Sequence, residues 1–466
     1  MKKIFILFSL VLVGVLTSCQ MLSTSQSTSS STTTTTTKST TTTTTTTTQT
    51  TTTTKETVKK AKNILNYLDD EGNVPLIEIT TKNNEFPKDK ENYVSGELAI
   101  KNQSNGDWIL DKQAMGIRLR GNSTSAAPKK PFRIKFDKKV SLFGLPEAKS
   151  WVLLANYFDK TGIRNYLAYL TANKLDNLYF QPSSILVDVT FNGEYLGNYL
   201  LCEQMQTGKG RVDIENKNWN IKENPTFFLE LDALERIKED GLTYGVSYFQ
   251  SNEIYYAIKY PESPVLTSIE CNYIAKVFDA IFMAIKSKNG YERFMDVDSF
   301  IDYYIVNELF KNVDCHNSSV YYFYENGVLK AGPVWDFDIG LGVVGQGHED
   351  GSYANYESSE LWVGTVNKLY KLLFEDPVFL NKVKERYAEV KPILLEIYDE
   401  MAIIEQYLTD DLQKNINKWP IPGDTNSWLA SRYDRDYLKL KTFDDHMSYL
   451  KDKLDRQFEI MDKYYA

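Results

Sequence analysis

The feature that most constrains this chain is an Asn-Gly pair, Asn326-Gly327, between the short apolar and aromatic runs 320–324 and 328–334. Asn-Gly accepts the positive φ angles of a two-residue turn, so it predicts a β-hairpin. Residues 300–313, just before it, read as a helix. Phe300, Ile301, Tyr304, Ile305 and Leu309 recur at three-to-four spacing, with Asp298 placed to cap the start. The helix runs into Asp314, and the hairpin leaves through Trp335-Asp336-Phe337-Asp338. A hairpin returns the chain to where it began, so that exit is expected beside Asp314. If it continues as a strand, Asp336 and Asp338 share one side. A lone aspartate in such a place is usually a turn or cap residue. Three carboxylates around one hairpin instead form the hard-oxygen donor set that Mg²⁺ takes.

The front of the chain has a different character. Residues 1–18 carry two lysines, an apolar run and then small residues, the pattern of an export signal. The ending Leu16-Thr17-Ser18-Cys19 resembles a bacterial lipobox, which implies cleavage before Cys19 and lipid on its sulfur. The protein is then expected on the extracellular face of the cell membrane, held by that lipid. Residues 19–57 are dominated by threonine and serine. No apolar face can form there, so a disordered tether is expected. Residues 58–466 remain for one large domain. The net charge of −9 argues against nucleic acid as a partner. Cys202, Cys271 and Cys315 are too widely spaced for a disulfide framework or a zinc site.

Within that domain, residues 58–68 read as a short helix. Residues 75–81, 93–101, 116–119, 132–136, 185–191, 195–202 and 227–231 read as strands, with Asn192-Gly193 marking a second hairpin. Helical patterns cover residues 161–174, 266–286, 367–407 and 434–465. The expected fold class is therefore α+β, with a β-rich first half, a mostly helical second half and a cleft between two lobes. The densest basic passage surrounds the turn 121–125, with Arg118, Arg120, Lys129, Lys130, Arg133 and Lys135. Alternation sets Arg133 and Lys135 opposite Phe132, Ile134 and Phe136. A solvated basic strand accounts for such a run when it stands alone. A cradle for nucleotide phosphates is the functional alternative.

The stretches RGNSTS…KKPFRIKF (120–136), WVLLANYFDKTGIRNYLAYLTANKL (151–175), GEYLGNYLLCEQM (193–205), GPVWDFDIGLG (332–342) and EDPVFLNKVKERY (375–387) occur in this order. In them the chain resembles the spore-coat protein H (CotH) kinase-like family. That resemblance implies an atypical protein-kinase-like bilobal fold, with an N-lobe over about residues 75–205 and a C-lobe over about 206–466. It also implies transfer of the ATP γ-phosphoryl group to Ser or Thr hydroxyls of proteins, with Mg²⁺ or Mn²⁺. By the same resemblance Lys135 matches the phosphate-binding lysine, and Arg120 and Lys130 join the cradle. Glu203 stands where the lobes join and contacts the nucleotide. Asp314 matches the catalytic aspartate, while Asp336 and Asp338 match metal ligands, with Asn317 or Ser319 to help hold the metal. The chain has no G-x-G-x-x-G loop, Ser319 stands five residues after Asp314, and helix 161–174 has no glutamate. These departures, with the extracellular address, leave a non-catalytic surface adhesin or structural protein as the alternative.

Lipidation at Cys19 has a direct consequence. Cys19→Ala is expected to move the protein from the membrane fraction to the medium, or to leave its precursor unprocessed. Fractionation and immunoblotting read both outcomes.

Overall fold

Seven strands, β1 (Leu76–Thr81), β2 (Val94–Lys101), β3 (Trp108–Leu119), β4 (Phe132–Val140), β5 (Ala148–Leu154), β6 (Ser184–Phe191) and β7 (Glu194–Glu203), close into a barrel in the order β1-β2-β3-β4-β5-β7-β6. The computed structural model describes residues 62–214, 220–221, 223, 225–345, 356, 359–420 and 432–466. The leader, Cys19 and the threonine tract lie outside these residues. Each strand alternates buried and outward positions, and the inward set, including Ile77, Ile117, Ile134, Trp151 and Val187, fills the barrel. Neighbouring strands are antiparallel except at the seam, where β1 runs parallel to β6 and Leu76 faces Asp188. The second Asn-Gly makes its expected turn, with Asn192 at φ 51° and Gly193 at φ 85°.

The second half contains more sheet than its sequence pattern predicts. Strands β8 (Phe227–Leu231), β9 (Tyr248–Ser251), β10 (Ile254–Tyr260), β11 (Val320–Glu325) and β12 (Val328–Ala331) form a sheet ordered β12-β11-β8-β10-β9. Val320 faces Leu231 across β11 and β8. That pairing spans most of the intervening chain, so no local pattern announces it. The Asn326-Gly327 turn joins β11 to β12, with φ values of 53° and 83°. Two short helices, α1 (Ser123–Ala126) and α3 (Leu234–Glu239), lie beside the strands, as does α2 (Arg164–Lys174). Helices α4 (Ser268–Lys286), α5 (Val297–Leu309), α6 (Val363–Val366), α7 (Lys368–Phe374), α8 (Pro377–Lys418) and α9 (Phe443–Tyr465) complete the fold. Among the described residues no helix is long and apolar enough to cross a membrane. Cys202, Cys271 and Cys315 are buried free thiols.

Several boundaries move, each for a local reason. The helix before Asp314 is capped by Asp296, whose carboxylate accepts the Ser299 N–H at 3.1 Å, rather than by Asp298. The pattern at 367–407 divides into α7 and α8, because Asp376 caps a new helix with Pro377 in its first turn. The final helix starts at Phe443, where Thr442 and Asp445 form a capping box. Only Ile64–Asn66 is helical at the start of the domain, as a 3₁₀ turn.

Helix α2 is buried on every side through Ala172 and fixes the hairpin exit in place. The Asp159 carboxylate accepts from the Arg164 guanidinium at 2.5 Å, from the Arg164 N–H at 2.8 Å and from the Thr161 hydroxyl at 2.6 Å. Arg164 Nε donates to Gly340 O at 3.1 Å, and its Nη2 donates to Leu341 O at 3.0 Å. Neither side chain of this pair reaches solvent. Removing one member of such a pair strands the other charge, so Arg164→Met is expected to lower stability by about 3–5 kcal/mol. Urea unfolding measures it.

Candidate functional site

A cleft of about 230 Å³ lies where the outer face of the barrel meets the start of β11 and the end of the hairpin. Its lining includes Arg120, Leu154, Gln204, Asp314, Ser319, Trp335, Asp336 and Asp338, with Glu230, Asp232 and Lys259 from the second sheet. The hairpin expectation thus brings its three aspartates to one cavity. One side chain ties entrance to exit. Asn312 Oδ1 accepts the Asp314 N–H at 3.0 Å, while its Nδ2 donates to Trp335 O at 3.2 Å and to Asn307 Oδ1 at 2.9 Å. Asn312 and Asn307 are buried, and nothing in the sequence pattern separates them from ordinary helix-end residues.

The exit itself departs from expectation. Residues 335–338 do not continue β12, and Asp336 sits at φ 69°, a left-handed conformation that favours glycine. Strand alternation therefore does not orient Asp336 and Asp338. Neighbours impose the turn instead. The Phe337 N–H donates to Asn165 Oδ1 at 2.7 Å, and the Asp336 N–H reaches Tyr169 Oη at 3.4 Å. Asp336 Oδ2 accepts from Ser319 Oγ at 3.1 Å. Trp335 stacks on Tyr169 with ring centres 5.4 Å apart, as a packing anchor.

Electrostatically the cavity floor is strongly acidic. Asp338 is buried, and burial pushes its carboxyl well above the usual range; the charges of Asp336, Asp159 and Asp314 push it further the same way. Among the described residues no three Asp, Glu, His or Cys side chains form a ready metal cage. The donors still fit Mg²⁺, which takes one or two carboxylates and completes its shell with water and phosphate oxygens.

The second sheet contributes a wall that the sequence reading left unassigned, although Glu230 and Asp232 are visible there as acids at the end of an apolar strand. Glu230 accepts from Tyr321 Oη at 2.6 Å and pairs with Lys259 at 2.9 Å. Asp232 accepts from Ser318 Oγ at 2.8 Å and from the Ala233 N–H at 2.9 Å, with Arg236 at 3.5 Å. Burial and then the charge of Glu230 push the Asp232 carboxyl up to about 6.

Four of the residues matched to nucleotide or metal roles do not line the cleft. Lys130 Nζ donates to Ser125 O at 2.9 Å and braces the 121–125 turn. Lys135 is exposed on the outer face of β4, 5.9 Å from the Tyr93 ring. Glu203 is buried, bound to Arg211 and to the Ser183 N–H, and burial raises its carboxyl. Its neighbours Gln204 and Met205 reach the cleft instead. Asn317 is exposed, its N–H donating to Asp314 O at 2.9 Å.

With this geometry in place, comparison with known proteins is informative. A family model described as CotH kinase protein matches residues 117–460, which contain every cleft residue named above. No curated protein matches the chain.

Asp232 gives the site a pH signature. Its folded value of about 6 stands above the ordinary 3.8. The unfolded chain therefore releases this proton first, and stability present at low pH is lost as pH rises through about 6. Asp232→Asn is expected to remove that loss, gaining about 1–3 kcal/mol over wild type at pH 7 and nothing near pH 3. Urea unfolding at both pH values checks it.

Proposed function

The chain belongs to the CotH kinase family, and from that premise we propose that it transfers the γ-phosphoryl group of ATP to Ser or Thr hydroxyls of proteins, on a kinase-like fold of two lobes. The observation that carries this reading is buried Asp338 crowded by half-buried Asp336 and by Asp314, in a cleft that Arg120 also lines. A site with this much unneutralised acid favours a divalent cation and the phosphates that come with it.

In the proposed mechanism Asp314 accepts the proton of the attacking hydroxyl. The new bond joins that oxygen to the γ-phosphorus, the bond to the β-phosphate oxygen breaks, and ADP leaves. Asp336 and Asp338 are the residues to hold the cation, with Ser319 restraining one Asp336 oxygen. Mg²⁺ or Mn²⁺, when bound, offsets charge on the β- and γ-phosphates. Arg120, with its guanidinium 5.7 Å from the Trp335 ring, stands on the phosphate side. Leu154, Ala155, Phe158 and Met205 give the cleft an apolar portion suited to a purine. Asn317 is a ligand in this reading only if its exposed turn closes over the cleft.

The proposed location is the extracellular face of the membrane, with lipid on Cys19 and the threonine tract as spacer. A second reading, a non-catalytic surface adhesin or structural protein on the same fold, is favoured by Ser319. It stands where a standard kinase loop has a metal-binding asparagine, and its hydroxyl is already engaged by Asp336.

Asp336→Asn keeps the shape and removes the charge, so incorporation of labelled phosphate into a Ser/Thr-rich peptide is expected to fall by at least about a hundredfold. Equal incorporation by both proteins would remove Asp336 from the mechanism. A wild type that neither incorporates phosphate nor binds ATP with Mg²⁺ or Mn²⁺ would overturn the kinase reading and favour the adhesin one.

A further inference from the structure

The outer face of the barrel carries three guanidinium groups in register beside the cleft. Arg118 on β3 faces Arg133 on β4, and Arg133 faces Val152 on β5. One row nearer the cleft, Arg120 donates its N–H to Pro131 O at 3.2 Å, and Arg120, Pro131 and Leu154 all line the cavity. One row farther away, Lys135 faces Gly116 and Ser150 and is exposed. Residues two apart on a strand are separated by about 7 Å and paired residues by about 5 Å. The arginines therefore form a short path running outward from Arg120, which alone of the three lines the cleft, and Lys135 lies beyond it.

This path lacks counter-charge. Among the described residues no acid pairs with Arg118, Arg120 or Arg133. The Nε atoms of Arg118 and Arg133 are buried without an acceptor. Tyr93 covers Arg118, its ring centre 5.0 Å from the guanidinium carbon. Burial, and then Arg118 and Arg120, hold the Arg133 guanidinium below its ordinary value against the pull of Tyr93. Like charges crowded together with unspent donors are unfavourable in an empty site, and a multiply charged anion satisfies both needs.

We propose that the cations binding the nucleotide's phosphates are Arg120, Arg133 and Arg118, and that Lys135 takes no part in holding them. This rests on the ATP reading above and departs from the residue match that assigns the role to Lys135. Guanidinium groups donate in a planar fork that fits phosphate oxygens, which a single ammonium does not reproduce.

The test measures binding of MgATP, MgADP and inorganic tripolyphosphate to wild type and to Arg133→Met, Arg118→Met and Lys135→Met, by thermal shift and calorimetry. Unliganded melting checks folding, and Arg133→Gln serves if the methionine variant is unstable. Arg133→Met and Arg118→Met are each expected to weaken all three ligands about tenfold or more, with Lys135→Met within about twofold of wild type. Nucleotide binding that ignores both arginines, or that is lost with Lys135, overturns this inference and leaves the ATP reading standing. Tripolyphosphate bound through Arg133 with no adenine nucleotide bound overturns the ATP reading and keeps the anion site. No binding of any of the three overturns both.

Discussion

One buried ion pair organises the rest of this structure. Arg164 satisfies Asp159 and, in the same plane, two backbone carbonyls of the loop that follows Asp338. An ionised pair without solvent is unfavourable unless its remaining donors and lone pairs are used, and here they are used on the loop that carries the site. The interaction is therefore weak evidence of extra stability and strong evidence of positioning. Helix α2 adds Asn165 from the same turn and Tyr169 from the next, so one helix sets the backbone from Trp335 to Leu341. The left-handed turn at Asp336 persists because its neighbours over-determine it.

The cleft is electrically divided. Acids crowd the hairpin side, where Asp338 is held against its preference for charge, and Arg120 lines the barrel side with Arg118 and Arg133 beyond it. A ligand pairing a cation with polyphosphate relieves both at once. The wall of Glu230 and Asp232 is of another kind, because Lys259, Arg236, Tyr321 and Ser318 already satisfy it. It is a flank held by its own ion pairs and hydrogen bonds, within which Glu230 still raises the Asp232 carboxyl.

How much of this was legible beforehand depended on the range of the interaction involved. Both Asn-Gly turns, the alternation that turns Arg133 and Lys135 to the outer face of the barrel, and the meeting of Asp314, Asp336 and Asp338 follow from local rules and chain return. The barrel seam and the β8–β11 pairing join distant segments, and no periodicity encodes them. Glu203 shows the limit of reading position without phase: the alternation along β7 sets it inward, across from Trp151, and brings Gln204 to the cleft. Lys135 matched a motif, but its row on the strand places it outside the cavity.

The seam between β1 and β6 also has a consequence in time. The Thr81 N–H donates to the Asn192 side chain, 111 residues farther on, and β1 has no second neighbour until β6 exists. A chain emerging from its N-terminus thus holds an open strand edge through the making of β2 to β5, and the β1–β6 pairing must wait for loop closure over that span. Until the seam forms, the open edge is a surface on which another copy of the chain can add a strand. The seam covers β1, and the barrel closes only when β7, the last of its strands in the chain, inserts between β5 and β6 and covers the edges both still hold open.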